Sequence, residues 1–236
     1  MTPERHKRIL DMLAKRQTDL TVCMEGVHKP HNLAAVVRTC DAIGINEVHA
    51  VWKNSRMYMS GNSAVGSQNW VHLHHHTETK DAIMHLKEQG MQVLVTNLSD
   101  SAIDYREVDY TKPTAIILGQ EKFGASDEAL ALADQDIIIP MVGMVQSLNV
   151  SVACAVTLYE AQRQRQNAGM YDSPSNITKV ERDKVLFEGG HPIFAKACQR
   201  KGLPYPEIDD EGQIVASEDW WNKMQMNKEA WQDIDE

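Results

Sequence analysis

Three short segments combine residue types that catalysis and ligand binding use. The first runs His28-Lys29-Pro30-His31-Asn32 into Leu33-Ala34-Ala35-Val36-Val37-Arg38-Thr39. Arg38 lies six residues beyond Asn32 in an otherwise apolar stretch, and an arginine with apolar neighbours on both sides needs a partner. A structural ion pair or a head group that snorkels to solvent is the commoner fate of such arginines, and this segment alone does not assign a function. The second is Leu118-Gly119-Gln120-Glu121-Lys122-Phe123-Gly124, with two glycines flanking an acid after an apolar run. Glycine permits close backbone approach to a ligand and positive φ angles. Glu121 can accept hydrogen bonds or hold a cation, although a tight turn with a solvent-facing glutamate has the same pattern. The third runs from Ile137-Ile138-Ile139-Pro140-Met141 through Gly143 to Ser147-Leu148-Asn149-Val150-Ser151. A β-branched run stops at Pro140, an apolar loop follows, and Ser147 is expected to cap a long helix. Apolar loop residues with open backbone amides suit a flat heteroaromatic ring, and a helix N-terminus suits an anion or polar group. A buried crossover would explain the Met and Val residues, but not Asn149 and Ser151.

The elements that must position these segments alternate. Leu20–Glu25, Glu47–Trp52, Gln92–Leu98, Thr114–Leu118 and Asp136–Ile139 read as strands. Asn32–Ile43, with Asn32 as N-cap and Gly44 as stop, reads as a helix, as do Thr79–Gln89, Asp127–Ala133 and a long span from Ser147 to about Ala168. This predicts an α/β fold, a mostly parallel sheet with helices on both faces. Ligands bind beyond the carboxyl ends of strands in such sheets, and all three segments fall there. Residues 1–19 predict an amphipathic helix in which Ile9, Leu10, Met12 and Leu13 share a face. Arg5, Lys7, Arg8, Lys15 and Arg16 crowd the rest, giving either a solvated helix or an arm that meets phosphates. Residues 170–178 read as a linker and 179–201 as helical, and Trp220 and Trp221 are expected to pin the C-terminal tail.

Composition narrows the function classes. The chain has 236 residues and a net charge of −9. Residues 207–236 hold ten acids and two lysines, so the rest is close to neutral, with mildly basic segments at 1–20 and 159–206. That charge pattern permits a nucleic-acid partner without establishing one. No apolar run reaches membrane-spanning length and the N-terminus lacks the apolar core of a secretory signal, so a cytoplasmic protein without membrane contact is expected. Cys23, Cys40, Cys154 and Cys198 form no C-x-x-C pair and are expected as free buried thiols. His72, His74, His75 and His76 cluster, but no Cys or acid joins them at ligand spacing, and no metal site is expected. The dinucleotide fingerprint G-x-G-x-x-G is absent, which disfavours a dehydrogenase.

Taken together, Asn32-x5-Arg38-Thr39, Leu118-Gly119-x-Glu121-x2-Gly124 and Ile139-Pro140-Met141 with Ser147-Leu148-Asn149-Val150-Ser151-Val152-Ala153 resemble the three motifs of the SPOUT RNA methyltransferases of TrmH type. The likeness covers about residues 1–205 and is greatest to members that methylate guanosine 18 in the D-loop of tRNA. It implies a deep C-terminal trefoil knot, helical extensions at both ends, a homodimer, and transfer of a methyl group from S-adenosylmethionine to a ribose 2′-oxygen. The segments it implies are an RNA-binding arm at 1–19, a methyltransferase core at 20–168, and a helical extension with an acidic tail at 169–236. The catalytic set would be Arg38, Asn32, Glu121, Ser147 and Asn149. The cofactor would meet Thr96, Asn97, Leu118, Gly119, Glu121, Ile139, Met141, Leu148 and Asn149. Phosphate contacts would come from Arg8, Lys15, Arg16, His31, Arg163 and Arg165. The resemblance makes Arg38 the base, a role at odds with the high basicity of a guanidinium. The alternative keeps it charged, where it binds a phosphate and stabilises negative charge on the oxygen. Other target nucleotides in tRNA, an rRNA substrate, or an RNA-binding protein that has lost catalysis are the competing expectations.

Overall fold

The computed structural model describes residues 1–27, 29–52 and 66–226. His28, which opens the first segment, lies outside them, as do residues 227–236 of the acidic tail. The elements in order are α1 (Pro3–Leu13), β1 (Leu20–Glu25), α2 (Pro30–Ile43), β2 (Glu47–Val51), β3 (His72–His76), α3 (Thr79–Glu88) and β4 (Gln92–Thr96). There follow β5 (Ile103–Asp104), β6 (Thr114–Leu118), α4 (Asp127–Leu132), β7 (Gln135–Ile138) and α5 (Val150–Asn167). The chain ends with α6 (Lys179–Gly190), α7 (Pro192–Lys201), β8 (Glu207–Ile208), β9 (Ile214–Val215) and α8 (Glu218–Gln225).

Two compact units form, residues 15–176 and residues 1–14 with 177–236. The first is built on a seven-stranded sheet of order β3-β2-β1-β6-β4-β7-β5, parallel at every pairing. Its strands alternate between two buried layers, as the period of a strand requires. Leu20, Val22 and Met24 of β1 face a core shared with α2 and α5, including Val36, Val37, Cys40, Cys154 and Leu158. Cys23, Val93, Val95, Ala115 and Ile117 face the opposite core with Ile83 and Leu86 of α3 and Ala129 of α4. Helices therefore cover both faces, and the strands read as continuous apolar runs because both faces are buried. The path doubles back: β6 inserts between β1 and β4, and β7 then inserts between β4 and β5. All four cysteines are free and buried.

In the second unit α1 packs on α6. Arg5 Nη2 donates to the Gly189 carbonyl at 2.9 Å and the N-terminal ammonium to that of Gly212 at 3.1 Å. Trp220 is buried with Phe187, Ala195 and Cys198, and its indole donates to the Pro204 carbonyl at 3.0 Å. The predicted helix over 179–201 is two helices. Gly189-Gly190 weakens the end of α6, and Pro192 starts α7 at the position where proline's missing N–H costs nothing.

Two predicted caps are corrected. Lys29 precedes α2 and Asn32 sits in its first turn, buried, with its side chain committed elsewhere. The long helix begins at Val150, where Asn149 is the N-cap and its Oδ1 accepts from the Ser151 amide at 2.9 Å. Ser147 lies in the preceding loop, so its hydroxyl is not used as a cap. Strand β3 was not expected: histidine is no strand former, and β3 is an edge strand held in place by its ladder to β2.

Candidate active site at the carboxyl edge of the sheet

The neighbouring strands β6, β4 and β7 end on one side of the sheet, and their loops enclose a cavity of about 370 Å³. β4 contributes Thr96, Asn97 and Leu98, β6 contributes Leu118 and the 119–124 loop, and β7 contributes Ile137 to Ile139. Met141, Gln146, Ser147 and Leu148 close one side, and Val150, Ala153 and Thr157 of α5 supply another. The second and third motif loops thus form one cleft. Of the nine residues expected to meet a cofactor, eight line it, and Asn149 does not.

Local chemistry explains why the 119–124 loop holds its shape. Gln120 and Gly124 exchange two backbone hydrogen bonds of 2.9 Å, which pinches the loop shut. Gly124 has a φ of +71°, the left-handed region that favours glycine. At Gly119 a Cβ would lie 2.2 Å from the Ala125 nitrogen, so no side chain fits. The loop exit is fixed from below by Glu25, at the end of β1. Its carboxylate accepts from the Ser126 amide at 2.9 Å and from the hydroxyls of Ser126 and Thr79 at 2.5 and 2.6 Å. Sequence reasoning missed Glu25, although a charge closing an otherwise apolar strand is a signal for it.

The first loop joins the other two through side chains. Glu121 accepts from Lys29 Nζ and from Asn32 Nδ2. Asn149 Nδ2 donates to Asn32 Oδ1 at 3.3 Å, while Asn149 Oδ1 accepts from the Ser151 hydroxyl at 2.7 Å. Asn32 is buried at the centre of this string, which ties all three motif loops together. On the cavity wall, Asn97 Nδ2 and the Ser99 hydroxyl both donate to Asp136 Oδ2, at 2.9 and 2.8 Å.

Arg38 lies on the exposed face of α2 and has no hydrogen-bond or ion-pair partner among the described residues. It is not among the residues that line the cavity of its own chain. Of the six expected phosphate contacts, Arg8, Lys15, His31 and Arg163 are exposed, Arg163 in an ion pair with Glu160 at 2.7 Å. Arg16 and Arg165 are corrections. Arg16 is buried and donates to Asp41 and to the carbonyls of Ile45 and Trp70. Arg165 is wholly buried against Asp19, Gln17 and three carbonyls. Neither guanidinium reaches solvent, so neither can meet a phosphate. The arginine spacing in the sequence cannot separate these internal ties from the exposed Arg163.

The expected histidine cluster forms away from the cavity, along β2 and β3. His49 Nδ1 lies 2.9 Å from His76 Nε2, and the His49 and His74 rings stack at 5.0 Å. Burial pushes the His49 pKa down to about 4, while a hydrogen bond to Glu47 raises that of His74. Among the described residues no group of three or more His, Cys, Asp or Glu is arranged to hold a metal ion, and no helix is long and apolar enough to cross a membrane.

Residues 19–159 match the model of the SpoU rRNA Methylase family, and residues 163–217 match that of the SpoU rRNA methylase C-terminal region. The tRNA (guanosine(18)-2'-O)-methyltransferase of Escherichia coli K12 is 61% identical over 95% of this chain and 99% of its own length. The crystal structure of the Aquifex aeolicus TrmH/SpoU tRNA modifying enzyme superposes with a TM-score of 0.73 at 41% identity, covering 79% of this chain and 94% of that one. The AdoMet-bound rRNA methyltransferase from Sinorhizobium meliloti superposes with a TM-score of 0.58 at 29% identity, covering 65% of this chain and 59% of that one. The first family match spans all three loops and the whole of the cavity they enclose, and the chain belongs to the SpoU rRNA methylase family.

Proposed function

We propose that this chain transfers a methyl group from S-adenosylmethionine to the ribose 2′-oxygen of guanosine 18 in tRNA, working as a homodimer. The observation that carries the reading is the string Glu121–Asn32–Asn149, which gathers the three motif loops around one cavity. The substrate choice rests on the 61% identity to a relative named for that reaction.

The cavity fits the cofactor in size and lining. Its volume of about 370 Å³ falls in the range of small-molecule sites. Leu118, Ile137, Ile139, Met141 and Leu148 offer apolar surface for a heteroaromatic ring, and the loops after β6 and β7 offer backbone groups. When bound, S-adenosylmethionine supplies an electrophilic methyl group on a sulfonium that leaves readily. The chain must then align the sugar oxygen and deal with its proton. Arg38, exposed and without a partner among the described residues, is suited to bind the neighbouring phosphate and to stabilise negative charge developing on the oxygen. Asn32 and Ser147 orient Arg38 and the ribose, while Glu121 and Asn149 brace the loops.

Arg38 serves the cavity of the second copy in this reading, because it does not line its own. The exposed apolar residues Val142, Met144, Val145, Val152 and Tyr159, on the third loop and α5, support a surface that a second copy covers. The doubled-back path of β6 and β7 supports a trefoil knot at the C-terminal end of the core. Arg8, Lys15, His31 and Arg163 are the phosphate contacts, and losing any one weakens RNA binding and its salt dependence without altering sequence choice.

Mapping methyl groups in unmodified tRNA incubated with enzyme and labelled cofactor tests the reading. One 2′-O-methyl group at guanosine 18 is expected. Methylation confined to rRNA, or to another tRNA position, would overturn the assignment of substrate.

A further inference from the structure

Thr157 is wholly buried on α5, and its hydroxyl oxygen has no hydrogen-bond partner among the described residues. Threonine within a helix commonly bonds its hydroxyl back to a carbonyl one turn earlier, and that bond is not made here. A buried hydroxyl without a partner costs stability for as long as it stays unmatched. Its location gives the orphan a meaning. Thr157 lies on the same face of α5 as Val150 and Ala153, and all three line the cavity. The same cavity is also lined by the apolar Leu118, Ile137, Ile139 and Leu148. Polar atoms placed among apolar lining residues are how small-molecule sites fix the orientation of a ring.

We propose that the Thr157 hydroxyl is a hydrogen-bonding contact for the adenine ring of the methyl donor. The proposal rests on the methyl-transfer reading above. The buried Thr157, on a helix face shared with Val150 and Ala153, suits the flat neutral end of such a cofactor, whereas its charged amino-acid end needs water or counter-charge. A hydroxyl both donates and accepts, so it can serve the amino group or a ring nitrogen of the purine edge. Thr157 is then a cofactor-binding residue, satisfied only when the cavity is filled.

The full-length Thr157→Val and Thr157→Ser chains separate this from a structural role. Valine keeps the shape and removes the oxygen; serine keeps the oxygen. Calorimetric titration with S-adenosylhomocysteine should give a Kd about 10-fold weaker for Thr157→Val and near wild type for Thr157→Ser. Without ligand, the Tm of Thr157→Val should equal or exceed that of the wild type, since an unmatched hydroxyl has gone. Unchanged affinity in Thr157→Val, or a lowered Tm that accounts for the weaker binding, overturns the proposal. Failure of the wild-type chain to bind S-adenosylhomocysteine would be a different result, and would sink the methyl-donor reading itself.

Discussion

At the amino edge of the sheet the Arg165 guanidinium makes five hydrogen bonds, to Gln17, to Asp19 twice, and to the carbonyls of Tyr110 and Lys112. At the carboxyl edge the loops after β4, β6 and β7 leave a cavity, and among the described residues neither the buried Thr157 hydroxyl in its wall nor the exposed Arg38 of α2 has a hydrogen-bond partner. The same sheet therefore carries two kinds of polar chemistry. Arg165, with every N–H engaged, locks strand starts together, whereas at the strand ends the cavity wall holds a hydroxyl with no partner among the described residues. An arginine with all five N–H groups engaged is a structural tie, and one with none engaged is available for charge stabilisation.

The comparison breaks most visibly if Arg38 and Arg165 can be exchanged in effect. Arg38→Ala should reduce methyl transfer by about 10⁴-fold or more, equivalent to roughly 5.5 kcal/mol of barrier. Calorimetry should find cofactor affinity unchanged within about two-fold, and combined loss of affinity and rate would count against the role. Arg165→Ala should behave oppositely. It strands the Asp19 carboxylate and several carbonyls, and urea unfolding should record a loss of about 3–5 kcal/mol. A stable Arg165→Ala chain with lost activity would reverse the assignment of the two edges.

How far these edges were legible in the sequence follows from what each one uses. The carboxyl edge was legible because its loops carry glycines, a proline and isolated polar residues between apolar strands, and strand ends attract ligands in any α/β sheet. The strands Leu20–Glu25 and Thr114–Leu118 were legible to the residue, since both faces are buried and apolar runs have clear ends. The amino edge was not. Arg165 and Arg16 look in sequence like exposed basic residues, and only the fold brings Asp19, Tyr110 and Lys112 around one and Asp41, Ile45 and Trp70 around the other. Asn32 was misread as a cap because its position suits one equally well; its actual partners, Glu121 and Asn149, lie 89 and 117 residues away.

A third region sharpens the contrast through pH. His49 is buried, neutral and clear of both edges, with its pKa pushed down to about 4 by burial. Its unfolded value is about 6.5, so the unfolded chain binds more protons between the two. His49 should therefore contribute stability that is complete above about pH 6.5 and lost as pH falls towards 4, by up to about 3 kcal/mol. His74, raised by Glu47, works in the other direction and contributes stability below its ordinary titration range. In His49→Leu the acid-side fall in urea midpoint should shrink; an unchanged pH profile would mean that other groups carry it.

The smallest expected effect concerns the string at the carboxyl edge. Asn32→Ala and Glu121→Ala should each weaken cofactor binding, and their double-mutant cycle should give a coupling of about 1 kcal/mol. Additive effects would mean that the two residues act separately and that the string does not hold the loops as one unit.

The most direct test of the whole account is complementation between two inactive chains. One carries Arg38→Ala with an intact cavity; the other keeps Arg38 and carries Gly119→Ala, which breaks the cavity-lining loop because a Cβ there would lie 2.2 Å from the Ala125 nitrogen. After co-refolding in equal amounts, random pairing makes half the dimers mixed, each with one complete site, so activity should recover to about a quarter of wild type. A mixture as inactive as its two parents would contradict the account, because it would mean that the free guanidinium does not complete the cavity of a second copy.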